Sequence, residues 1–195
     1  MNIKTFCGGY DSNFCYVVYD SGSKECCIID PSIPAQEVLI WIKQQNFKPL
    51  FVIIMHSHFD HIIDLDQYRK ANIPIYAHTS IKLEVDKRLI DHEEFSFSIA
   101  KDGMNFKVLH TPGHLYDCIC LLLNEKHLFT SDTLFVESCG RIDLQGAEPQ
   151  KMPKTLQRLK QLPDDTIVYP GHDYGSTPTS TIGKQKQSNK FLKNS

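Results

Sequence analysis

Leu50-Phe51-Val52-Ile53-Ile54-Met55 runs without a break into His56-Ser57-His58-Phe59-Asp60-His61. Six apolar residues in a row predict a buried strand, and Ile62, Leu65 and Tyr68 at spacing three predict a helix that ends before Asn72-Ile73-Pro74. The polar hexapeptide therefore lies on a strand-to-helix loop, where four ligating side chains converge that no packing requirement asks for. His56, His58 and Asp60 share parity, so in an extended loop they point the same way while His61 turns aside. One loop can then serve two adjacent metals. With histidine at only 9 of 195 positions, three His and one Asp at these fixed places arise by chance in roughly one chain in 700, so chance is a poor explanation. Structural zinc usually closes its coordination with Cys and His and not with carboxylates, which turns the reading towards chemistry.

Three further strand ends carry the same residue types. Thr111-Pro112-Gly113-His114 follows a predicted strand at 106–109, Ser131-Asp132-Thr133 follows one at 127–130, and Pro170-Gly171-His172-Asp173-Tyr174 follows one at 166–169. Loops at strand ends are where functional side chains gather. Upstream, strands at 14–19 and 26–29 flank the turn Asp20-Ser21-Gly22-Ser23, a hairpin signal, and Val38, Leu39 and Ile42 predict a helix over 35–46. A strand at 118–123 and a helix at 153–162 complete the pattern. Strands in two blocks punctuated by helices suggest two sheets face to face with helices outside. The length fits one domain over 1–195, with a polar tail from about 176 whose last residues are expected to fray.

A net charge of -2 gives no basic excess, so neither nucleic acid nor an anionic membrane is an expected partner. No apolar run is long enough for a membrane span or a signal peptide, and a cytoplasmic protein is expected. The seven cysteines are odd in number and form no C-x-x-C, so they read as buried thiols and not as a disulfide framework or zinc ribbon.

These motifs, in this order and at these intervals, resemble the metallo-β-lactamase superfamily, and within it the glyoxalase II (hydroxyacylglutathione hydrolase) branch in a short, single-domain form. The resemblance covers nearly the whole chain. It implies an α/β (α+β) fold, the four-layer αββα sandwich with metals at one edge of two sheets. It implies two divalent metal ions, zinc with iron or manganese as alternatives, the first held by His56, His58 and His114, the second by Asp60, His61 and His172, and both by a bridging Asp132. His78, His92, His110 and His127 receive no such role and are expected at the surface or around the ligands.

Two divalent ions set against two carboxylates and a bridging hydroxide leave about +1, a site that favours an oxyanion forming on substrate. Asp60 is the candidate to orient the hydroxide and receive its proton. The expected activity is hydrolysis of a small-molecule thioester such as S-lactoylglutathione. Arg141, after Cys139-Gly140, and Tyr174, after Gly171-His172-Asp173, are similar to the branch's contacts to the glutathione moiety. The chain departs from the branch at Asp64, where Gly is usual, and at Leu115-Tyr116-Asp117-Cys118, where Thr-x-Gly-Ser is usual. Full-length glyoxalase II enzymes carry a helical C-terminal extension whose basic residues grip glutathione, and Lys184, Lys186 and Lys190 align with none of them. The alternative on the same scaffold is a persulfide dioxygenase holding one iron through His56, His114 and Asp132. A non-catalytic metal-binding protein is the second alternative. The oligomeric state, acyl group and thiol carrier are left open by the sequence.

Overall fold

Apolar runs that lack alternation become strands covered on both faces. The structure, a computed structural model, describes residues 1–97 and 103–195. In chain order its elements are β1 (Asn2–Gly8), β2 (Asn13–Asp20), β3 (Glu25–Ile29), α1 (Ala35–Gln44), β4 (Lys48–Ile53), α2 (Leu65–Lys70), β5 (Ile75–His78), β6 (Lys87–Leu89) and β7 (Glu94–Phe97). There follow β8 (Met104–His110), β9 (Ile119–Leu123), β10 (His127–Ser131), β11 (Leu134–Phe135), β12 (Ser138–Cys139), α3 (Met152–Lys160), β13 (Ile167–Pro170), β14 (Ser180–Thr181), α4 (Ile182–Ser188) and α5 (Lys190–Lys193). One sheet has the order β1-β2-β3-β4-β5-β6 and the other β14-β13-β10-β9-β8-β7. The predicted hairpin is β2 and β3, paired antiparallel, whereas β3, β4 and β5 pair parallel through the crossover helices α1 and α2.

The period of two in the side chains divides each strand between two cores. Cys27 and Ile29 of β3 pack with Ile53 of β4 and with Phe106, Leu121 and Phe129 of the other sheet. Cys26 and Ile28, one residue out of step, pack with Val38 and Ile42 of α1 and Tyr68 of α2. On the far side, Cys120, Leu122 and Leu128 lie under Leu156 and Leu159 of α3, Ile182 of α4 and Leu192 of α5. The result is a four-layer αββα sandwich, the architecture expected from the sequence. All seven cysteines are free; five are buried, while Cys7 is exposed and Cys139 partly so.

The polar tail docks on the sandwich as far as Leu192, short of its last residues. Ile182, Asn189 and Leu192 are buried, and the Asn189 side-chain amide donates to the carbonyls of Ser138 and Phe135, at 2.8 and 3.4 Å. Two apolar side chains and one amide suffice to dock a segment that is polar on average. No helix among the described residues is long and apolar enough to cross a membrane.

Three hydrogen bonds join the sheets at the edge where β4 ends. The Ile119 N–H donates to the Met55 carbonyl at 2.9 Å, the Phe14 N–H to the Gly171 carbonyl at 2.7 Å, and the buried Tyr16 hydroxyl to the Pro170 carbonyl at 2.7 Å. Removing the last donor leaves a buried carbonyl unpaired, so Tyr16→Phe should cost about 1–3 kcal/mol in urea unfolding. An unchanged midpoint would mean that Pro170 is satisfied without it.

Candidate metal centre

Beyond β4 the chain makes a single 3-10 turn at Phe59–His61, and α2 begins only at Leu65, three residues later than the apolar spacing from Ile62 predicts. The His61 and Ile62 N–H groups bond back to the carbonyls of His58 and Phe59, a tighter turn than an α-helix allows. This turn carries Asp60 and His61 inward beside His56 and His58.

All seven residues expected to hold metal converge. His56, His58 and His114 bring ring nitrogens to one point, and Asp60, His61 and His172 bring ligand atoms to a second. In the first group His58 Nδ1 lies 3.2 Å from His56 Nε2 and 2.8 Å from His114 Nε2. In the second, His61 Nε2 lies 3.3 Å from both His172 Nε2 and Asp60 Oδ2. Asp132 stands between the groups, with Oδ1 3.4 Å from His61 Nε2 and Oδ2 3.5 and 3.3 Å from the Nε2 atoms of His114 and His172.

The outward nitrogens decide what the inward ones offer. His114 Nδ1 donates to the Arg141 carbonyl at 2.8 Å and His172 Nδ1 to the Asp11 carbonyl at 2.7 Å, while His61 Nδ1 meets Asp30 Oδ1 at 2.7 Å and His56 Nδ1 meets Ser131 Oγ at 3.2 Å. Rings fixed in this way turn Nε2 lone pairs towards one another, and Asp132 Oδ1 is buried with no hydrogen-bond partner. Acceptors packed against acceptors fit a bound cation, and the donor set of imidazole and carboxylate suits zinc, iron or manganese. Asp30, His56 and His61 also cluster, but Asp30 is engaged by the outer face of His61 and supports that ring from behind.

Protonation follows the same geometry. Burial among other imidazoles pushes His56 well below its ordinary range, and burial with His114 pushes His58 down to about 4. Burial opposes charge on His61, yet Asp30 and Asp132 outweigh it and hold that ring well above its ordinary range. Burial also opposes ionisation of Asp60, but His61 and Asn13 hold its carboxyl low. His56 and His58 are thus ready as neutral ligands, whereas His61 carries a proton that a cation would displace.

Sequence reasoning missed the supports. Asn13 is fully buried; its Nδ2 donates to Asp60 Oδ2 at 2.9 Å and its Oδ1 accepts the Asp11 N–H at 2.9 Å. Asp30 had a usable signal, since it ends a buried strand as Asp132 does. The two departures from the family pattern also acquire reasons. Asp64 Oδ2 accepts the Ala35 N–H at 2.9 Å and so caps α1, and Asp117 Oδ1 accepts the Ser57 N–H at 3.4 Å, tying down the loop between His56 and His58.

Arg141 and Tyr174 both line the open cavity of about 490 Å³ above the centre. Tyr174 stacks on His172 with centroids 4.6 Å apart and donates to Asp11 Oδ2 at 2.5 Å. The Arg141 side chain turns to Asp143, at 2.9 and 3.0 Å. Of the four remaining histidines, His78 is buried and stacks on His110, centroids 3.9 Å apart, outside the metal groups.

The family model described as the metallo-beta-lactamase superfamily matches residues 8–172. The chain belongs to the metallo-β-lactamase superfamily. It is 30% identical over 201 residues to a probable polyketide biosynthesis zinc-dependent hydrolase of Bacillus subtilis (strain 168), covering 97% of this chain and 85% of that one. It is 30% identical over 186 residues to a hydroxyacylglutathione hydrolase of Pelagibacter ubique, covering 93% and 75%. The crystal structure of ETHE1 from Myxococcus xanthus superposes with a TM-score of 0.86 at 27% identity, covering 97% and 84%. At the level of the superfamily the chain is a metal-dependent hydrolase with His/Asp metal-binding clusters.

Two predictions follow from this geometry. Asp30→Asn removes the carboxylate behind His61 and should lower metal affinity about tenfold or more in competition with a chelator; equal affinity would make Asp30 a packing residue. His78 is pushed down to about 4 by burial and the stacked His110. Unfolded, it takes a proton near ~6.5, so the folded chain loses stability as pH falls below that value, and the loss levels off below about 4. His78→Gln should shrink the drop in urea midpoint between pH 7 and 5, and an identical drop would assign the acid sensitivity elsewhere.

Proposed function

We propose that this protein hydrolyses small-molecule thioesters, with S-lactoylglutathione as the reference substrate, at a centre of two divalent metal ions. The observation that carries the reading is the second ligand group: Asp60, His61 and His172 form a complete set beside His56, His58 and His114, with Asp132 reaching both. A single-iron dioxygenase on this scaffold keeps the same loop motif but holds its metal through His56, His114 and Asp132 alone, so the two readings differ in whether Asp60, His61 and His172 hold a second ion. The names of the Bacillus and Pelagibacter relatives support zinc and a hydroxyacylglutathione respectively.

Metal ions held there would bring the pKa of water towards ~7 and polarise a carbonyl. The chain's residues do the rest. Asn13 fixes one oxygen of Asp60 at 2.9 Å, so the carboxylate is aimed before substrate arrives. Asp60 takes the proton of the attacking water, the water oxygen bonds to the thioester carbonyl carbon, and the carbon–sulfur bond breaks. The thiolate leaves with a proton, and the acyl group departs as a carboxylic acid. The side chains of Tyr174 and Arg141 stand at the mouth where the thiol portion would pass.

Protein carrying two metal ions per chain should cleave S-lactoylglutathione, and a chelator should abolish the reaction. Asp60→Ala should slow it by about 10²–10⁴-fold while the circular dichroism spectrum is retained; an unchanged rate removes Asp60 from the mechanism. Oxygen uptake with glutathione persulfide, together with one iron per chain, would overturn hydrolysis in favour of the dioxygenase.

A further inference from the structure

The cavity above the metal centre is walled by aromatic rings. Tyr10, in the turn between β1 and β2, meets Phe59 edge to face with centroids 4.9 Å apart. The two are 74% and 60% exposed, among the most exposed large apolar side chains of the molecule, and both line the cavity. Phe59 sits between His58 and Asp60 in the chain, so the loop that presents those two residues also fixes this ring at the mouth. Phe135 and Tyr174 also line the cavity and pack edge to face, centroids 5.1 Å apart.

Charge is distributed in the opposite sense. Arg141 is the one lysine or arginine lining the cavity among the described residues, and its Nε and Nη2 both donate to Asp143. Asp11 adds a carboxylate at the same rim, held by the Tyr174 hydroxyl. An acyl group with carboxylates of its own would find a single cation already paired, whereas an apolar one would cover rings now facing water. Exposed apolar surface gathered around a concave, reactive centre marks a ligand site.

We infer that Tyr10 and Phe59 form the wall that selects substrate, and that the substrate class is thioesters with an uncharged, apolar acyl chain in preference to short hydroxyacyl ones. This inference rests on the thioester reading of the same centre and deepens it. Each methylene that the two rings fully cover should improve binding by about fourfold.

The test uses the metal-loaded protein and neutral thioesters of one thiol, N-acetylcysteamine, carrying acetyl or hexanoyl groups. The expected result is a kcat/KM at least about tenfold higher for hexanoyl. Tyr10→Ala and Phe59→Ala, each checked for full metal content, should cut that ratio about fivefold. In parallel, calorimetry compares the non-hydrolysable S-hexyl and S-ethyl thioethers, and the hexyl compound should bind more tightly to the unaltered protein than to either variant. Turnover of both thioesters with a ratio near one, or a ratio kept in both variants, overturns the wall and leaves thioester hydrolysis standing. Preferential binding of the hexyl thioether with no thioester turnover supports the wall and overturns the hydrolase reading. Neither turnover nor preference overturns both.

Discussion

Five imidazoles and two carboxylates turn acceptor atoms towards one another across 2.8–3.5 Å in a largely buried space. Such an arrangement is repulsive unless positive charge fills it, and the rest of the architecture can be understood as the means of holding it. The ligating atoms come from the ends of β4, β8, β10 and β13, which belong to two different sheets. Neither sheet alone contains a complete group. The Ile119, Phe14 and Tyr16 hydrogen bonds that cross between the sheets lie at this edge, so the packing of the sandwich and the geometry of the centre are one problem. Cation binding and folding are linked for the same reason, because the unfolded chain holds no such cluster.

Orientation is imposed from behind. Each of four rings has its outer nitrogen against Asp30, Ser131, the Arg141 carbonyl or the Asp11 carbonyl. Two of these supports are strained: Asp30 and Ser131 have positive φ, 59° and 43°, which side chains with a Cβ seldom adopt. Both stand at the point where a strand ends and must turn its last side chain back under a ring. Strain stored where a site is preorganised is sustained by the buried strands on either side. Gly171 meets the same crowding differently, since a Cβ there would run into Asp132 Oδ1, and only hydrogen fits.

The strands with continuous apolar runs were legible because burial on both faces removes polar residues altogether; β3, β4 and β9 are of this kind. The short strands β6, β11, β12 and β14 were not. Lys87-Arg88-Leu89 carries two charges in three residues, and its strand exists because the neighbouring β5 offers it a parallel edge. His56, His58, Asp60 and His61 stood out by residue type and spacing, since nothing but ligation explains that density of His and Asp, whereas the ligand places of His114, Asp132 and His172 came from the family resemblance. Their supports were hidden for two reasons. A backbone carbonyl, as at Asp11 and Arg141, has no sequence signature, and Asn13 and Asp30 look like the polar residues of any turn. The docking of the tail was hidden because Ile182 stands alone and Phe191-Leu192 is a single pair, with no period to reveal a packed face.

The two walls of the cavity share one device. In the loop after β12, the Arg141 carbonyl holds His114 while the Arg141 side chain leaves for Asp143. In the turn before β2, the Asp11 carbonyl holds His172 while the neighbouring Tyr10 ring stands exposed at the mouth. Main-chain atoms thus keep the imidazoles in place, and side chains on the same loops face whatever enters. Support that comes from a carbonyl survives a change of side chain, so positions 10 and 141 can vary without moving the rings. Gly140 has no such freedom, because a Cβ there would strike the Asp132 carbonyl and crowd the His114 ring. A fold built in this way can keep its metal chemistry fixed while the surface that selects the substrate changes residue by residue.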